Sequence, residues 1–137
     1  MEPSEVVEFI TGLDNVQQSE SFGYQFFFVG DDHRLPFVTI ADSDNEYDYV
    51  SNLDRDGVYR VNIGISKKTF ESLLEDVNVE GLDFSVLNVF LPHPDYWKQH
   101  FVCILNPSGA NADMTRTLII EAHSIAADRY RRLNKSQ

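Results

Sequence analysis

The sequence predicts an α+β protein in which an antiparallel sheet of four to five strands carries three helices. Three apolar segments, 24–29, 37–41 and 58–63, follow one another with only turns or a loop between them. Consecutive strands joined in this way usually pair antiparallel. Helical periodicity occurs before the first strand, after the third and after the last, but not between the first three strands. This pattern disfavours a doubly wound α/β fold, in which helices alternate with strands. The expected order is α-β-β-β-α-β-β-α in one domain over residues 1–137.

The first elements follow from local signals. Ser4 is the expected N-cap of a short helix, and Gly12 ends that helix. Polar residues 14–21 are expected to form a loop. The aromatic run 24–29 is apolar on both faces, which predicts a strand inside the sheet. A turn over residues 30–34 then leads into the second strand of a hairpin.

The later elements are separated by glycines and prolines. The third strand has an alternating pattern, which predicts a wetter face carrying Arg60 and Asn62. Ser66 is the expected cap of the second helix. A short strand is expected within 83–91, before the strand at 101–105. The final helix is expected from about 113 to 132.

The composition limits the class of protein. No apolar run approaches the ~20 residues of a membrane span, and the acidic N-terminal segment lacks the basic start of a secretory signal. Cys103 is the single cysteine, so an intrachain disulfide is impossible. These features predict a cytoplasmic protein without membrane association.

The net charge of −11 is unevenly distributed. Acidic residues predominate in 1–56, whereas acidic and basic residues balance over 57–137. The last helix is basic, with Arg116, Arg129, Arg131, Arg132 and Lys135. Binding to phosphates normally requires a basic face, so a nucleic-acid partner is disfavoured. Unlike charges at the two ends of the chain make a homodimer worth testing.

Two acidic patterns resemble parts of a calcium site. Residues 52–57 place oxygens and a glycine as in the first half of a calcium loop, but Ile63 stands where a bidentate Glu is needed. An acidic turn before a strand is therefore favoured. Asp42, Asp44, Glu46 and Asp48 would point to one side of an extended segment, which leaves weak cation binding by loop 42–56 open.

Other metal and catalytic chemistry has little support. His100 and Cys103 would face opposite sides of one strand, so they cannot share a zinc ion with His93 without a bulge. Cys103 lies between Val102 and Ile104, which favours a small buried residue over a reactive thiol. No nucleophile elbow or phosphate-binding glycine loop is present. We predict no metal site and no cofactor.

The most distinctive segment is 91–97. Pro92 and Pro94 restrict the backbone around His93, and Asp95, Tyr96 and Trp97 follow directly. A histidine held in this way suits a binding pocket or a general base. The alternative is a rigid corner in which the rings cap the core and His93 bonds a backbone carbonyl.

Tyrosines and arginines also cluster around the acidic loop, at Tyr47, Tyr49, Arg55, Tyr59 and Arg60. These residue types are common in recognition surfaces, but they are also ordinary at a sheet edge. The two interpretations stay open. The candidate binding residues are therefore His93, Asp95, Tyr96, Trp97, Tyr47, Tyr49 and Arg60.

Several short motifs occur in an order that resembles the bacterial domain-of-unknown-function family 6194, from about Gly23 to Arg132. They are residues 36–40, Asp48 with Ser51 and Leu53, 57–64, 92–96, 105–107 and 121–123. More distantly, the order of the motifs is similar to that in MmcQ/YjbR-like proteins. That resemblance implies a small fold like that of type III secretion chaperones. The chain has Gly64 and 95–97 where that group commonly has a lysine and an Asn-Lys-x-His-Trp phrase.

Three functions follow from these features. The first is a non-catalytic module, which is expected to bind a protein or a small ligand. The second is a small-molecule enzyme with His93 as general acid or base, oriented by Asp95 or Tyr96. The third is DNA binding, which the MmcQ/YjbR-like resemblance implies and which only the basic residues 129–135 support here.

Overall fold

The computed structural model describes residues 1–135 as a six-stranded sheet with three helices. In chain order the elements are α1 (Pro3–Thr11), β1 (Val16–Ser21), β2 (Tyr24–Val29), β3 (Val38–Ala41), β4 (Arg60–Gly64), α2 (Lys67–Leu73), β5 (Leu91–Pro92), β6 (Phe101–Leu105) and α3 (Gly109–Lys135). The strand order is β1-β2-β3-β4-β6-β5, and all neighbours pair antiparallel. The α+β class is confirmed, whereas the predicted count of four to five strands is too low.

Strand β1 is the additional strand, so the loop predicted for residues 14–21 is wrong. β1 lies at an edge of the sheet and pairs with β2 along its whole length. Its residues after Val16 are all exposed, so it lacks the alternating pattern that marks a half-buried strand. Phe22 and Gly23 join the two strands with φ values of 53° and 81°, as in a type I′ hairpin turn.

Helix α1 begins before its predicted start, whereas α2 begins where it was predicted. Glu2 is the N-cap of α1, and Ser4 is not, because Pro3 occupies the first helical position that its fixed φ favours. Glu5 Oε1 accepts a hydrogen bond from the Glu2 N–H at 3.0 Å. Ser66 caps α2 as predicted, since its Oγ accepts from the Thr69 N–H at 3.1 Å.

Two further segments differ in length. Helix α3 begins at Gly109, before the expected start at about 113. The strand expected within 83–91 is reduced to the short β5, which overlaps that range only at Leu91. Among residues 1–135, no helix is both long enough and apolar enough to cross a membrane.

The main core lies between the helices and one face of the sheet. Alternate residues of β2, β3, β4 and β6 point toward the helices and are almost completely buried. The helical side of this core is formed by Val6, Ile10, Leu118, Ile119, Ala122 and Ala126. The partly buried Phe70, Leu73 and Leu74 bring α2 against the same core.

The opposite face of the sheet, here called the second face, is covered by loop residues. The predicted wetter side of β4 is wrong, because Arg60 and Asn62 on this face have exposed fractions of 0% and 1%. The loop between β3 and β4 folds over them, and its Asp48 and Ser51 bind the Arg60 guanidinium. Burial by a loop is a tertiary effect that strand periodicity does not report.

Candidate ligand-binding site

His93 is held in one orientation by the backbone around it. The backbone N–H of His93 donates to the Phe101 carbonyl at 2.9 Å, directly after the pairing of β5 with β6. The backbone N–H groups of Asp95 and Tyr96 both donate to His93 Nδ1 at 3.0 Å. The tight corner therefore orients the imidazole through main-chain groups, without the Asp95 carboxylate or the Tyr96 hydroxyl.

These hydrogen bonds determine the protonation of the ring. Because Nδ1 accepts, the neutral imidazole carries its hydrogen on Nε2. Burial, followed by the positive charge of Arg60, lowers the pKa of His93 to about 4, against a smaller opposing effect of Asp48. At neutral pH His93 is thus an uncharged group whose Nε2–H can donate a hydrogen bond, and neither nitrogen has a lone pair available for proton abstraction.

The low pKa of His93 predicts a pH-dependent stability. The pKa is about 4 in the folded chain and about 6.5 in the unfolded chain, so the unfolded chain binds the proton more tightly. As far as His93 is concerned, the folded protein therefore has its full stability above about pH 6.5, where His93 is neutral in both states. It loses stability as the pH falls toward about 4, because protonation of His93 then favours the unfolded chain. Between about pH 7.5 and about pH 5, we expect His93 to lower the free energy of unfolding by about 2 kcal/mol.

The matched variant for this measurement is His93→Asn, whose side-chain oxygen accepts hydrogen bonds but does not titrate. Urea denaturation of both proteins at the two pH values gives the pH dependence of each. The wild-type protein should lose more stability than the variant, because other titrating groups cancel in the difference. An equal loss in both proteins would contradict the buried, neutral state of His93.

A cavity of about 660 Å³ adjoins this corner at the β5 edge of the sheet. Residues from α2, from segment 74–84 and from the corner at 92–97 line it, and it is open to solvent on one side. Its lining consists of Phe70, Glu71, Leu74, Val77, Val79, Leu82, Phe84, Pro92, His93, Pro94 and Trp97. Trp97 is the single tryptophan of the chain, and its side chain is about half exposed. The lining of the cavity is therefore mostly apolar, and the fluorescence of Trp97 can report whether a ligand is bound there.

Next to His93, the second face holds a buried polar network centred on Arg60. The guanidinium forms an ion pair with Asp48 and donates to Ser51 Oγ at 3.0 Å and to Asn62 Oδ1 at 2.9 Å. Tyr24 donates to the same Asp48 carboxylate. Burial raises the pKa of Asp48, but the hydrogen bonds from Arg60 and Tyr24 outweigh it and leave that pKa below its ordinary value.

This network unites residues from motifs that are far apart in sequence. Thr39 extends it, since its Oγ1 accepts from Asn62 Nδ2 at 2.9 Å. Three of the segments on which the family resemblance depends (36–40, 48–53 and 57–64) thus supply one connected cluster. The sequence did not identify Asp48 as the partner of Arg60. The only signal was the presence of both residues in those segments.

The predicted tyrosines of the acidic loop are not brought together with Arg60. Tyr47 and Tyr49 are exposed, with exposed fractions of 84% and 65%, whereas Arg60 is completely buried. A surface formed jointly by these tyrosines and Arg60 therefore does not exist in the folded chain. Tyr96 and Trp97 do lie beside His93. The Tyr96 ring is 5.1 Å from the imidazole, between ring centres, and Trp97 lines the cavity.

The acidic loop uses its carboxylates to bind its own backbone. Asp44 accepts from the Leu53 N–H at 2.8 Å, and Asp54 accepts from the Asp44 N–H at 3.0 Å. Within residues 1–135, no three His, Cys, Asp or Glu side chains are grouped as metal ligands. Burial raises the pKa of the Cys103 thiol to about 12, which keeps it protonated at neutral pH.

The fold and the site define an α+β protein with an apolar cavity beside a buried ion-pair network. Comparison with known sequences agrees with the resemblance found in the motifs. The chain belongs to the Family of unknown function (DUF6194), whose model matches residues 1–135. No match was found among curated proteins or among solved structures. The more distant similarity to MmcQ/YjbR-like proteins stays a prediction.

Proposed function

We propose that the protein is a non-catalytic binding module that holds a small apolar molecule in the cavity beside His93. The observation that carries the proposal is the cavity itself. Its volume of about 660 Å³ lies within the range of known ligand pockets, about 300–1,000 Å³. Its lining is mostly aliphatic and aromatic, with few polar groups, which is also typical of such pockets.

The state of His93 favours binding over catalysis. A general base needs an available lone pair near its reacting proton, and in the neutral ring Nδ1 already accepts two hydrogen bonds. The enzyme alternative, with His93 as acid or base, therefore has less support than a role in shaping the cavity and donating a hydrogen bond.

The partner alternatives have less support than a small ligand. Of the basic residues proposed for DNA binding, Arg131 is paired with Asp128, and the side chain of Lys135 lies outside the described residues. The net charge of −11 also opposes contact with phosphates. A protein partner or a homodimer would have to use the exposed surface, whereas the cavity is large enough for a small molecule without either.

The proposal is tested with the neutral dye N-phenyl-1-naphthylamine, which fluoresces in apolar surroundings. We expect saturable dye binding, quenching of Trp97 emission, and a rise in the melting temperature with dye concentration. Leu82→Asn should weaken binding about tenfold, because it removes apolar contact and places an amide in the lining. The matched control, Leu87→Asn, alters an exposed leucine outside the cavity and should bind the dye normally.

Two results would contradict the proposal. One is the absence of saturable binding to the wild-type protein. The other is equal dye binding by Leu82→Asn and Leu87→Asn, with both variants shown by circular dichroism to be folded. Light scattering on the same samples would reveal whether binding requires a dimer.

A further inference from the structure

The cavity has an asymmetric charge environment. Among the described residues that line it, Glu71 is the only one that is charged at neutral pH, because His93 is neutral there. The chain as a whole carries a net charge of −11. An anionic ligand would therefore meet a carboxylate in the lining and a repulsive field on approach, whereas a cation would be attracted by both.

The sequence around the cavity also favours a cation. Five acidic residues belong to α2 and the segment that follows it, namely Glu71, Glu75, Asp76, Glu80 and Asp83. Against them stand Lys67 and Lys68 at the start of α2 and Lys98 beside Trp97. These lysines reduce the acidic excess but do not line the cavity.

The aromatic residues of the lining provide a second kind of cation contact. Phe70, Phe84 and Trp97 present rings to the cavity. The Lys98 Nζ lies 5.5 Å from the centre of the Trp97 ring, which is within the range of a cation–π contact. Trp97 thus already has an ammonium group of the chain over one face of its ring, although Lys98 itself does not line the cavity.

From these observations, and resting on the proposed binding function, we propose that the cavity selects an amine: a singly charged ammonium group on an aromatic or branched apolar body. The apolar body would fill the cavity between α2 and segment 74–84. The ammonium group would lie at the Glu71 side and pair with its carboxylate. Glu71 is exposed, so the pairing would act mainly as selectivity and would weaken with added salt.

The test compares three probes of nearly equal size: 1-naphthylmethylamine, 1-naphthalenemethanol and 1-naphthoate. Each is titrated against the protein loaded with N-phenyl-1-naphthylamine, and dye displacement gives its affinity. We expect the amine to bind about five- to tenfold more tightly than the carboxylate, with the alcohol between them. The difference should shrink in about 1 M salt, where the screening length is about 3 Å.

Glu71→Gln identifies the group responsible. This variant should lose most of the preference for the amine while it binds the alcohol as the wild-type protein does. Glu75→Gln removes a nearby carboxylate that does not line the cavity, and it should keep most of the preference. The two variants have the same net charge, so the comparison separates a direct contact from the general field of the chain.

The outcomes separate this inference from the function on which it rests. Equal binding of the three probes, or tighter binding of the carboxylate, would overturn the amine preference and leave a neutral apolar cavity. A preference that survives Glu71→Gln would overturn the pairing with that carboxylate. Failure of the dye and of every probe to bind would overturn the binding function itself.

Discussion

Arg60→Met should lower the free energy of unfolding by about 3–5 kcal/mol, the usual loss when one partner of a buried ion pair is removed. The methionine keeps an unbranched apolar stem but lacks the guanidinium, so it cannot bind Asp48, Ser51 or Asn62. The Asp48 carboxylate would then stay in the interior beside the Tyr24 hydroxyl without its counter-charge. Urea denaturation at neutral pH measures the loss directly.

The control for this variant is Arg34→Met. Arg34 also forms an ion pair, with Asp32 at 2.8 Å, but its side chain is 75% exposed. Solvent screens that pair, so we expect the urea midpoint to change little. The contrast tests burial, because the substitution is the same in both variants. Equal effects of the two substitutions would show that Arg60 does not form a buried ion pair.

A second substitution separates two effects of Arg60→Met: the lost attraction between Arg60 and Asp48, and the cost of burying the unpaired Asp48 carboxylate. Adding Asp48→Leu to Arg60→Met removes the unpaired carboxylate and places an apolar side chain beside the second face. Replacement of both partners of a buried pair by apolar groups is often close to neutral. The double variant should therefore be more stable than Arg60→Met alone. If it is less stable, Asp48 has favourable contacts that do not depend on Arg60.

Gly30→Ala should also be strongly destabilising, because it combines backbone strain with a steric overlap. Gly30 follows β2 and has a φ of +68°. A Cβ atom at this position would overlap the Tyr130 ring of α3. The Tyr130 hydroxyl donates to Asp31 Oδ1 at 2.9 Å, which limits how far the ring can move.

Gly81→Ala is the matched control, because Gly81 has the same φ of +68° and no atom within 4 Å of the added Cβ. The control should show only the strain of a left-handed alanine, about 1 kcal/mol. Gly30→Ala should cost about 1–3 kcal/mol more, the usual effect of overpacking. Thermal or urea unfolding of the two variants measures the difference.

The overlap with Tyr130 makes a further check possible. In a Tyr130→Ala background the added methyl group at residue 30 no longer meets a ring. Gly30→Ala should then cost about as much as Gly81→Ala. If Gly30→Ala and Gly81→Ala are equally destabilising in the wild-type background, the packing of α3 on the end of β2 is looser than the structure indicates.

Strong local patterns made most of the fold predictable. The run Phe26–Phe27–Phe28 can hardly form anything except an internal strand, and the Ser66 cap marks the start of α2. The exposed edge strand β1 carries no such signal, because its polar residues face water on both sides. Its stability comes from pairing with β2, a contact that a local pattern does not contain.

The candidate site was predictable only in part. The two prolines around His93 indicated a restrained imidazole, and the structure places the cavity beside that residue. The donors to Nδ1 are main-chain groups of the following turn, so side-chain identity did not reveal them. Arg60 illustrates the opposite case: its residue type suggested a surface, but the loop carrying Asp48 buries it.

The sequence by itself determined the α+β class, the antiparallel pairing of the central strands and the family, because each depends on local periodicity or on the order of short motifs. The tertiary structure alone decided the edge strand, the buried Arg60–Asp48 pair and the cavity at His93. Each of these is formed by segments distant in the chain. Their energies come from desolvation and packing between segments, which no single stretch of residues can specify.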